Sequence, residues 1–360
     1  MRLIVTCGGT GGHITPALAI ADTVRENCAR AEILFVGSEG GMEEELVRRA
    51  GYPIRSLRIK GLARNLSPAN IRALYLAVRA VGAAEALLSE FSPDAVVGTG
   101  GYACYPTLRA AVKRGIPTAV HESNAFPGLA VRRLAARVDR VWLNFADAAK
   151  HLSPRTQCLC VGNPLPRGYG AAFPAHKTDG KRRVLSFGGS LGARELNRAV
   201  LAVMEREREL PEVYHCHATG RREYETVLAE FRSRGLDRCP RFELLPYIDD
   251  MPQRMAEADL VICRAGAMSI SELSSVGAPA ILVPSPNVTG DHQYKNAKVL
   301  ADAGAAVLLT EGELQRLAVE VVSLLNDPVA RGALSKAIGG FASPDANKRI
   351  YEDLCRLLKK

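Results

Sequence analysis

The sequence contains no run of 18 or more uncharged apolar residues among its 360 residues, so no membrane-spanning helix is predicted. A secretory leader is not recognisable either, because the opening stretch MRLIVTCGGTGG runs directly into a glycine-rich loop. We therefore expect a protein that works in the cytoplasm.

The nine cysteines form no C-x-x-C pair, and Cys158 and Cys160 are too close together for a usual zinc site. Reduced thiols are predicted. No D-x-D motif occurs, so a carboxylate-held Mg²⁺ is not indicated. We expect neither a metal nor a cofactor.

The composition, with 47% apolar and 24% charged residues, is typical of a globular protein, and the length favours two domains. The net charge of +9 is uneven: residues 1–162 contain 20 Lys and Arg against 13 Asp and Glu. This basic half suits an anionic partner, such as nucleic acid, phosphates or a membrane surface. A solubilising surface charge explains it equally well.

Short apolar runs rich in β-branched residues alternate with helical patterns, and the alternation occurs twice. It indicates α/β structure with two doubly wound, Rossmann-like domains. Strands are predicted at 2–7, 32–36, 94–97, 118–121, 140–143, 183–187, 214–218, 242–245, 260–263, 280–283 and 306–309. Helices are predicted at 15–29, 42–50, 193–204, 223–234 and 346–358. We place the domains at 1–163 and 164–345, with a helix at about 346–360 packing back on the first.

Both halves begin with a strand, a glycine loop and a helix, in RLIVTCGGTGGH and RRVLSFGGSLGA. Such loops direct backbone N–H groups at an anion, and glycine lets it come close. The loops Gly8–Gly12 and Gly188–Gly192 are therefore candidate phosphate sites, or plain tight turns. Neither matches G-x-G-x-x-G or carries G-K-[ST], so a dinucleotide site and ATP hydrolysis are disfavoured.

Polar residues follow several predicted strands, where open α/β sheets bind ligands. His13 suits a base or a phosphate contact, and Asn124, in His121–Asn124, suits sugar hydroxyls. Glu272 follows a helix start near Ser269. It is a candidate for the two hydroxyls of a ribose, or only a first-turn or capping-box acid.

In their order and spacing, eight segments resemble the undecaprenyl-diphospho-muramoylpentapeptide β-N-acetylglucosaminyltransferases of peptidoglycan synthesis. The segments are GGTGGHITPALA, GTGGYACYP, HESNAFPG, VGNP, GGSLGA, YIDDM, CRAGAMSISE and DHQYKNA. The resemblance covers essentially the whole chain. It implies two domains facing across a cleft, the GT-B architecture, and a role in cell-wall biogenesis, cell shape and cell division.

The resemblance implies transfer of N-acetylglucosamine from UDP-N-acetylglucosamine to the C4 hydroxyl of lipid I, with inversion, to give lipid II. It assigns to the donor Thr10, Gly11, Gly12, Asn124, Arg167, Ser190, Ile248, Ala267, Met268, Ser269, Ile270, Ser271, Glu272 and Gln293. It assigns to the acceptor Gly100, Gly101, Tyr102 and Glu122, and it makes His13 the candidate base. Nucleic acid is not among the implied partners.

Four positions depart from the family pattern: Ser123, Leu191 and His292 stand where Gln is usual, and Pro166 where an Arg is usual. The last departure puts the role of Arg167 in doubt. The alternatives are a related GT-B transferase with another lipid or small-molecule acceptor, a non-catalytic nucleotide-sugar binding module, and a nicotinamide-dependent oxidoreductase.

The resemblance also implies a peripheral protein on the cytoplasmic face of the bacterial inner membrane. The stretch 71–79 mixes apolar and basic residues, as a helix lying on an anionic bilayer does. A buried helix with a basic outer edge fits the same pattern.

Overall fold

The computed structural model describes residues 1–59, 69–169, 179–189 and 192–359, without the side chains of 69–75, 77 and 289. These residues form two compact units. The first domain comprises Met1–Pro166 and Ser343–Lys360, and the second comprises Arg167–Ala342.

The first domain is built on a parallel seven-stranded sheet whose central strands are buried and mainly apolar. Its strands are β1 (Arg2–Thr6), β2 (Glu32–Ser38), β3 (Ile54–Leu57), β4 (Ala95–Gly98), β5 (Thr118–Glu122), β6 (Arg140–Leu143) and β7 (Cys158–Cys160). Its helices include α1 (Gly11–Asn27), α2 (Met42–Arg49), α3 (Ala69–Phe91), α4 (Cys104–Lys113) and α5 (Leu129–Leu134). The strand order is β3-β2-β1-β4-β5-β6-β7, so the winding reverses between β1 and β4. The hydrophobic core lies in two clusters.

The second domain repeats this design on a parallel six-stranded sheet, in the order β10-β9-β8-β11-β12-β13. Its strands are β8 (Arg182–Phe187), β9 (Val213–Ala218), β10 (Phe242–Leu245), β11 (Leu260–Cys263), β12 (Ala280–Leu282) and β13 (Val307–Leu308). Its helices are α6 (Arg194–Glu207), α7 (Tyr224–Ser233), α8 (Met251–Glu257), α9 (Ala267–Val276), α10 (His292–Asp302), α11 (Leu317–Asn326) and α12 (Pro328–Gly339). Here the winding reverses between β8 and β11.

The last helix, α13 (Ala346–Leu358), packs on α1 in the first domain. Its residues Ile350, Leu354 and Leu357 are buried in the same hydrophobic cluster as β1. Asp353 accepts hydrogen bonds of 2.8 Å from Arg140 Nε and from the buried indole N–H of Trp142. The C-terminal helix is therefore part of the core of the first domain.

The predicted pair of doubly wound α/β domains is confirmed. Two helices begin earlier than predicted: α1 at Gly11 instead of residue 15, and α9 at Ala267 instead of near Ser269. Glycine is a poor helix former, but the first amides of a helix need no intrahelical acceptor, so glycines are tolerated in the first turn of α1. None of the described helices is long and apolar enough to cross a membrane.

Candidate active site

In the first domain, the loops after β1 and β4 pack against each other at the reversal of strand order. A Cβ on Gly101 would lie 2.0 Å from the carbonyl oxygen of Gly8, and a Cβ on Gly100 would lie 2.5 Å from Nδ1 of His13. Both glycines have positive φ, 88° and 106°, which side chains rarely adopt. Glycine at these positions is what allows the two loops to meet.

His13 lies in the first turn of α1, half-buried beside the second of these loops. Its Nδ1 is 2.9 Å from the carbonyl oxygen of Thr99, and the Thr99 hydroxyl donates to the carbonyl of His13 at 2.7 Å. Because a carbonyl only accepts, Nδ1 carries the proton and Nε2 keeps its lone pair. Burial lowers the pKa of His13, while the bond to Thr99 and the charge of Glu43 raise it. The ring is thus a neutral imidazole at pH 7, able to accept a proton.

At the end of β5, Glu122 is turned into its own loop. One carboxylate oxygen accepts hydrogen bonds of 2.9 Å from the backbone and side-chain amides of Asn124. The other oxygen accepts one of 2.7 Å from the N–H of Gly128. Glu122 therefore shapes the turn that carries Asn124. Tyr102, the other predicted acceptor residue with a side chain, is exposed.

In the second domain, the glycine loop after β8 again lies at the reversal of strand order. Gly192 N–H donates to the carbonyl of Gly189 at 3.0 Å, and a Cβ on Gly192 would lie 2.4 Å from the carbonyl oxygen of Thr219. The predicted donor residue Ser190, with Leu191, lies outside the described residues. The described part of the loop packs on the end of β9.

Helix α9 points its start at the same sheet edge, directly after β11. Ile270 N–H donates to the carbonyl of Gly266 at 3.0 Å, and Ser271 lies deeper in the helix. Met268 and Ser269, in the first turn, keep amides that the helix itself does not use. Of the residues predicted along this helix start, Met268 and Ser269 are better placed to donate to an anion than Ile270.

Glu272 is the sixth residue of α9 and half-buried. The N-cap is Gly266, so the capping-box position is Ser269 and the capping-box alternative for Glu272 is wrong. Within the described residues its carboxylate takes part in no hydrogen bond or ion pair. Burial raises its pKa to about 7. The pKa of nearby Tyr169 is raised first by burial and then by the charge of Glu272. A half-buried carboxylate of this kind is suited to hydroxyl donors of a ligand.

Of the other donor residues predicted in the second domain, Arg167 and Ile248 lie outside its helices and strands, whereas Gln293 is the second residue of α10. Gln293 Oε1 accepts a 2.8 Å bond from the N–H of Ser285, so this amide holds the loop after β12. Ile248 is buried, and Arg167 is exposed. Among the described residues, no group of three or more His, Cys, Asp or Glu side chains could hold a metal ion.

Sequence reasoning missed one role within a motif that it had identified. Arg264 donates to the carbonyls of Val283 and Pro284 at 3.2 Å and pairs with Glu311. It therefore braces the loop before α9 against the end of β12. No local sequence pattern indicates this bracing role, because the partners of Arg264 are at least 19 positions away in the sequence.

A buried polar chain inside the second domain looks like a hydrolase triad. Ser186 Oγ lies 2.7 Å from Nε2 of His215 and 2.8 Å from Nδ1 of His217, and His215 Nδ1 lies 2.6 Å from Glu207. All four side chains are at most 1% exposed, so no substrate reaches them. The chain is a structural network.

This network predicts acid sensitivity of the second domain. Burial and the nearby His215 together lower the pKa of His217 to about 3, against a bond to the Ser186 carbonyl that raises it. Below pH 6.5, the usual pKa of histidine, His217 is protonated in the unfolded chain but stays neutral in the folded domain. Stability is therefore full above pH 6.5 and falls by about 1.4 kcal/mol per pH unit towards pH 3.

From pH 7 to pH 5 we expect a loss of about 2 kcal/mol in the free energy of unfolding of the second domain through His217. Denaturant titrations at the two pH values, followed by circular dichroism, measure it. His217→Asn should reduce the loss, whereas His151→Asn, at an exposed histidine, should not. Equal losses in wild type and His217→Asn would contradict the assignment.

Two domains, each built on a parallel sheet with a glycine loop where the winding reverses, define a two-domain α/β enzyme with ligand sites at the carboxyl ends of its strands. The glycosyltransferase family 28 N-terminal domain matches residues 3–143, and the family 28 C-terminal domain matches residues 183–350. Curated relatives are UDP-N-acetylglucosamine–N-acetylmuramyl-(pentapeptide) pyrophosphoryl-undecaprenol N-acetylglucosamine transferases. That of Desulforudis audaxviator is 40% identical over 100% of this chain and 99% of its own length. That of Acetivibrio thermocellus is 37% identical over the same shares.

Among solved structures, MurG of Acinetobacter baumannii is 27% identical, covers 99% of both chains and has a TM-score of 0.78. The Staphylococcus aureus MnaA–UDP structure, 14% identical, covers 100% of this chain and 97% of its own, with a TM-score of 0.72. It is similar in fold alone. The chain belongs to glycosyltransferase family 28 and, within it, to the UDP-N-acetylglucosamine–N-acetylmuramyl-(pentapeptide) pyrophosphoryl-undecaprenol N-acetylglucosamine transferases.

Proposed function

We infer that this protein transfers N-acetylglucosamine from UDP-N-acetylglucosamine to the C4 hydroxyl of lipid I, forming lipid II for peptidoglycan. The observation that carries the inference is the match over the full length to relatives whose names specify this donor sugar and this polyprenyl-linked acceptor. The two family 28 domains support the same reaction class.

We propose that the second domain holds the donor. The carboxylate of Glu272 accepts hydrogen bonds from the ribose hydroxyls. The first-turn amides of α9 and the glycine loop with Ser190 face the diphosphate, because helix starts favour anions. Ile248 meets the uracil through its backbone, and Gln293, at the start of α10, contacts the sugar beside the loop that it braces.

We propose that the first domain presents the acceptor and the base. The loops Gly8–His13 and Gly98–Tyr102 face the acceptor diphosphate, while Thr10–Gly12 and Asn124 lie at the reacting end of the donor. The C4 oxygen forms a bond to the anomeric carbon, and the bond from that carbon to the UDP oxygen breaks. UDP leaves with the electron pair, and the proton passes to Nε2 of His13. Preorganised amides stabilise the charge on the departing diphosphate.

The experiment is a transfer assay with purified protein and radiolabelled UDP-N-acetylglucosamine. A soluble lipid I analogue, a diacylglycerol and a blank are compared as acceptors. We expect label in the lipid I analogue with stoichiometric release of UDP. Transfer to diacylglycerol alone would favour the related transferase, and UDP-sugar binding without turnover would favour a binding module.

We propose that the protein works at the cytoplasmic face of the membrane, held by its basic N-terminal half. The excess of 20 Lys and Arg over 13 Asp and Glu in residues 1–162 supports this, since each cation near an anionic surface contributes about 1 kcal/mol. Of the stretch 71–79, the side chains of 71–75 and 77 lie outside the described residues.

Cosedimentation tests this attachment. We expect binding to phosphatidylglycerol vesicles that falls steeply when salt is raised from about 0.05 to 0.5 M, because the attraction is screened. Vesicles of phosphatidylcholine alone are the control. Equal binding to both vesicles would contradict an electrostatic attachment.

A further inference from the structure

Glu43 is a fully buried carboxylate directly behind the first glycine loop. It is the second residue of α2. One of its oxygens accepts from the N–H of Ser38 at 2.8 Å and from the Ser38 hydroxyl. The other accepts from the N–H of Gly9 at 3.3 Å. A single side chain thus joins the end of β2 to the loop after β1.

The space for this carboxylate is made by glycines. A Cβ on Gly8 would lie 2.5 Å from a Glu43 oxygen, one on Gly37 would lie 2.6 Å from its Cγ, and one on Gly41 would lie 2.4 Å from its carboxyl group. Real Cβ atoms do not approach so closely. Three glycines therefore enclose the Glu43 side chain: Gly8 in the loop after β1, Gly37 in β2 and Gly41 at the N-cap of α2.

The Gly8–Gly9 turn, which Glu43 holds, contacts the other loop of the first-domain site. The carbonyl of Gly8 lies where a Cβ of Gly101 would be, and the ring of Tyr102 lies close to Gly9. His13 follows four residues after Gly9 and is bonded to Thr99 at the base of the second loop. A shift of Gly8–Gly9 would therefore be transmitted to both glycine loops and to His13.

We propose that Glu43 is a positioning residue for glycosyl transfer: it fixes the Gly8–Gly9 turn from behind and so sets the placement of the Gly100–Tyr102 loop and of His13. This rests on the proposed function of the first domain. Removing Glu43 would lower kcat and leave the affinity for the donor nearly unchanged, because we place the contacts to its ribose and diphosphate in the second domain.

Electrostatics supplies a second readout. Among the described residues, the charge of Glu43, from α2, acts on His13, and the charge of His13 in turn lowers the pKa of His121, from β5. The negative charge of Glu43 raises the pKa of His13 against the lowering effect of burial. Without that charge the acid limb of the kcat–pH profile, where His13 gains its proton, moves to lower pH.

The test compares Glu43→Gln with Glu45→Gln, which removes the same charge from an exposed position of the same helix. For Glu43→Gln we expect kcat on the lipid I analogue to fall at least about 10-fold, a donor KM within about twofold of wild type, and an acid limb at lower pH. For Glu45→Gln we expect wild-type values. The proposal is overturned by wild-type kcat in Glu43→Gln, or by lower kcat with an unmoved acid limb.

Hydrogen exchange of the protein without substrate separates this proposal from the assignment of function. In Glu43→Gln, exchange should increase in peptides covering 7–13 and 98–103 and stay unchanged across β5 and β6. An increase spread over the whole first domain would mean a general loss of stability and would overturn the proposal. If Glu43→Gln does not fold, Glu43→Asp replaces it: the charge remains and the reach shortens, so kcat should fall with the acid limb in place. Wild-type kcat in Glu43→Asp would equally overturn the proposal.

Discussion

Replacing His13 with alanine is expected to lower kcat by about 10²–10⁴-fold, the usual contribution of a positioned general base. The Nδ1 proton is held by the carbonyl of Thr99 at 2.9 Å, so Nε2 is the nitrogen that receives the acceptor proton. Burial keeps the ring neutral at pH 7. The wild-type kcat should therefore fall as pH drops through the pKa of His13, and this acid limb should be absent from His13→Ala.

Steady-state assays with saturating UDP-N-acetylglucosamine and a soluble lipid I analogue measure the effect. His151→Ala, at an exposed histidine of the same domain, is the control and should retain wild-type kcat. Trp142, the one tryptophan of the chain, is buried in the first domain, so its fluorescence shows whether that domain is intact in each variant. An intact His13→Ala protein with kcat within about threefold of wild type would exclude His13 as the base.

Replacing Glu272 with glutamine is expected to weaken binding of UDP-N-acetylglucosamine by about 10–100-fold. A hydrogen bond to a charged group contributes about 1.5–3 kcal/mol, and Glu272→Gln removes the charge while keeping the shape. The pKa of about 7 adds a pH signature. Ribose hydroxyls prefer the ionised carboxylate, so wild-type donor affinity should rise from pH 6 to pH 8 as the proton leaves. Glu272→Gln should show no such rise.

Isothermal titration of UDP at several pH values measures both effects, and Glu225→Gln, at an exposed glutamate of the same domain, is the control. Because burial raises the folded pKa of Glu272 from 4.5 to about 7, the domain loses stability as the pH rises from 4.5 to 7, and the whole loss is present above pH 7. Glu272→Gln should therefore be more stable at pH 8, by about 1–2 kcal/mol once solvent screening of a half-buried group is allowed for. Unchanged UDP affinity in Glu272→Gln would exclude the ribose role.

The sequence predicts most of this fold because strands buried on both faces read as apolar runs. It misses β3, in which only Leu57 of the four residues Ile54–Leu57 is buried, and β7, a three-residue strand at the sheet edge. It also places the start of α1 four residues late, because glycine is a poor helix former and a glycine-rich stretch therefore predicts a loop. In the structure Thr10, with an extended backbone, is the N-cap and the helix begins at Gly11. Helix propensity is local, whereas a helix start is set by what packs around it.

The candidate site is less accessible to sequence reasoning. The glycine loops, His13 and Glu272 stand in motifs that the family resemblance marks, and the structure gives their contacts. Glu43 stands in no such motif. Its role is not visible in the sequence, because Gly9 and Ser38 contact it together only once β1 and β2 have paired. Contacts of this kind depend on tertiary structure and leave no period or spacing in the chain.

Helix α13 reverses the order in which the two halves are completed during synthesis. The second domain is one continuous segment, Arg167–Ala342, and is whole as soon as that segment leaves the ribosome. The first domain must wait for Ile350, Leu354 and Leu357 to close its hydrophobic cluster. Domains usually fold in the order of their translation. In this protein the half that is made first is the half that is finished last, so until residue 357 has been added the nascent chain carries an open apolar surface that chaperones would recognise.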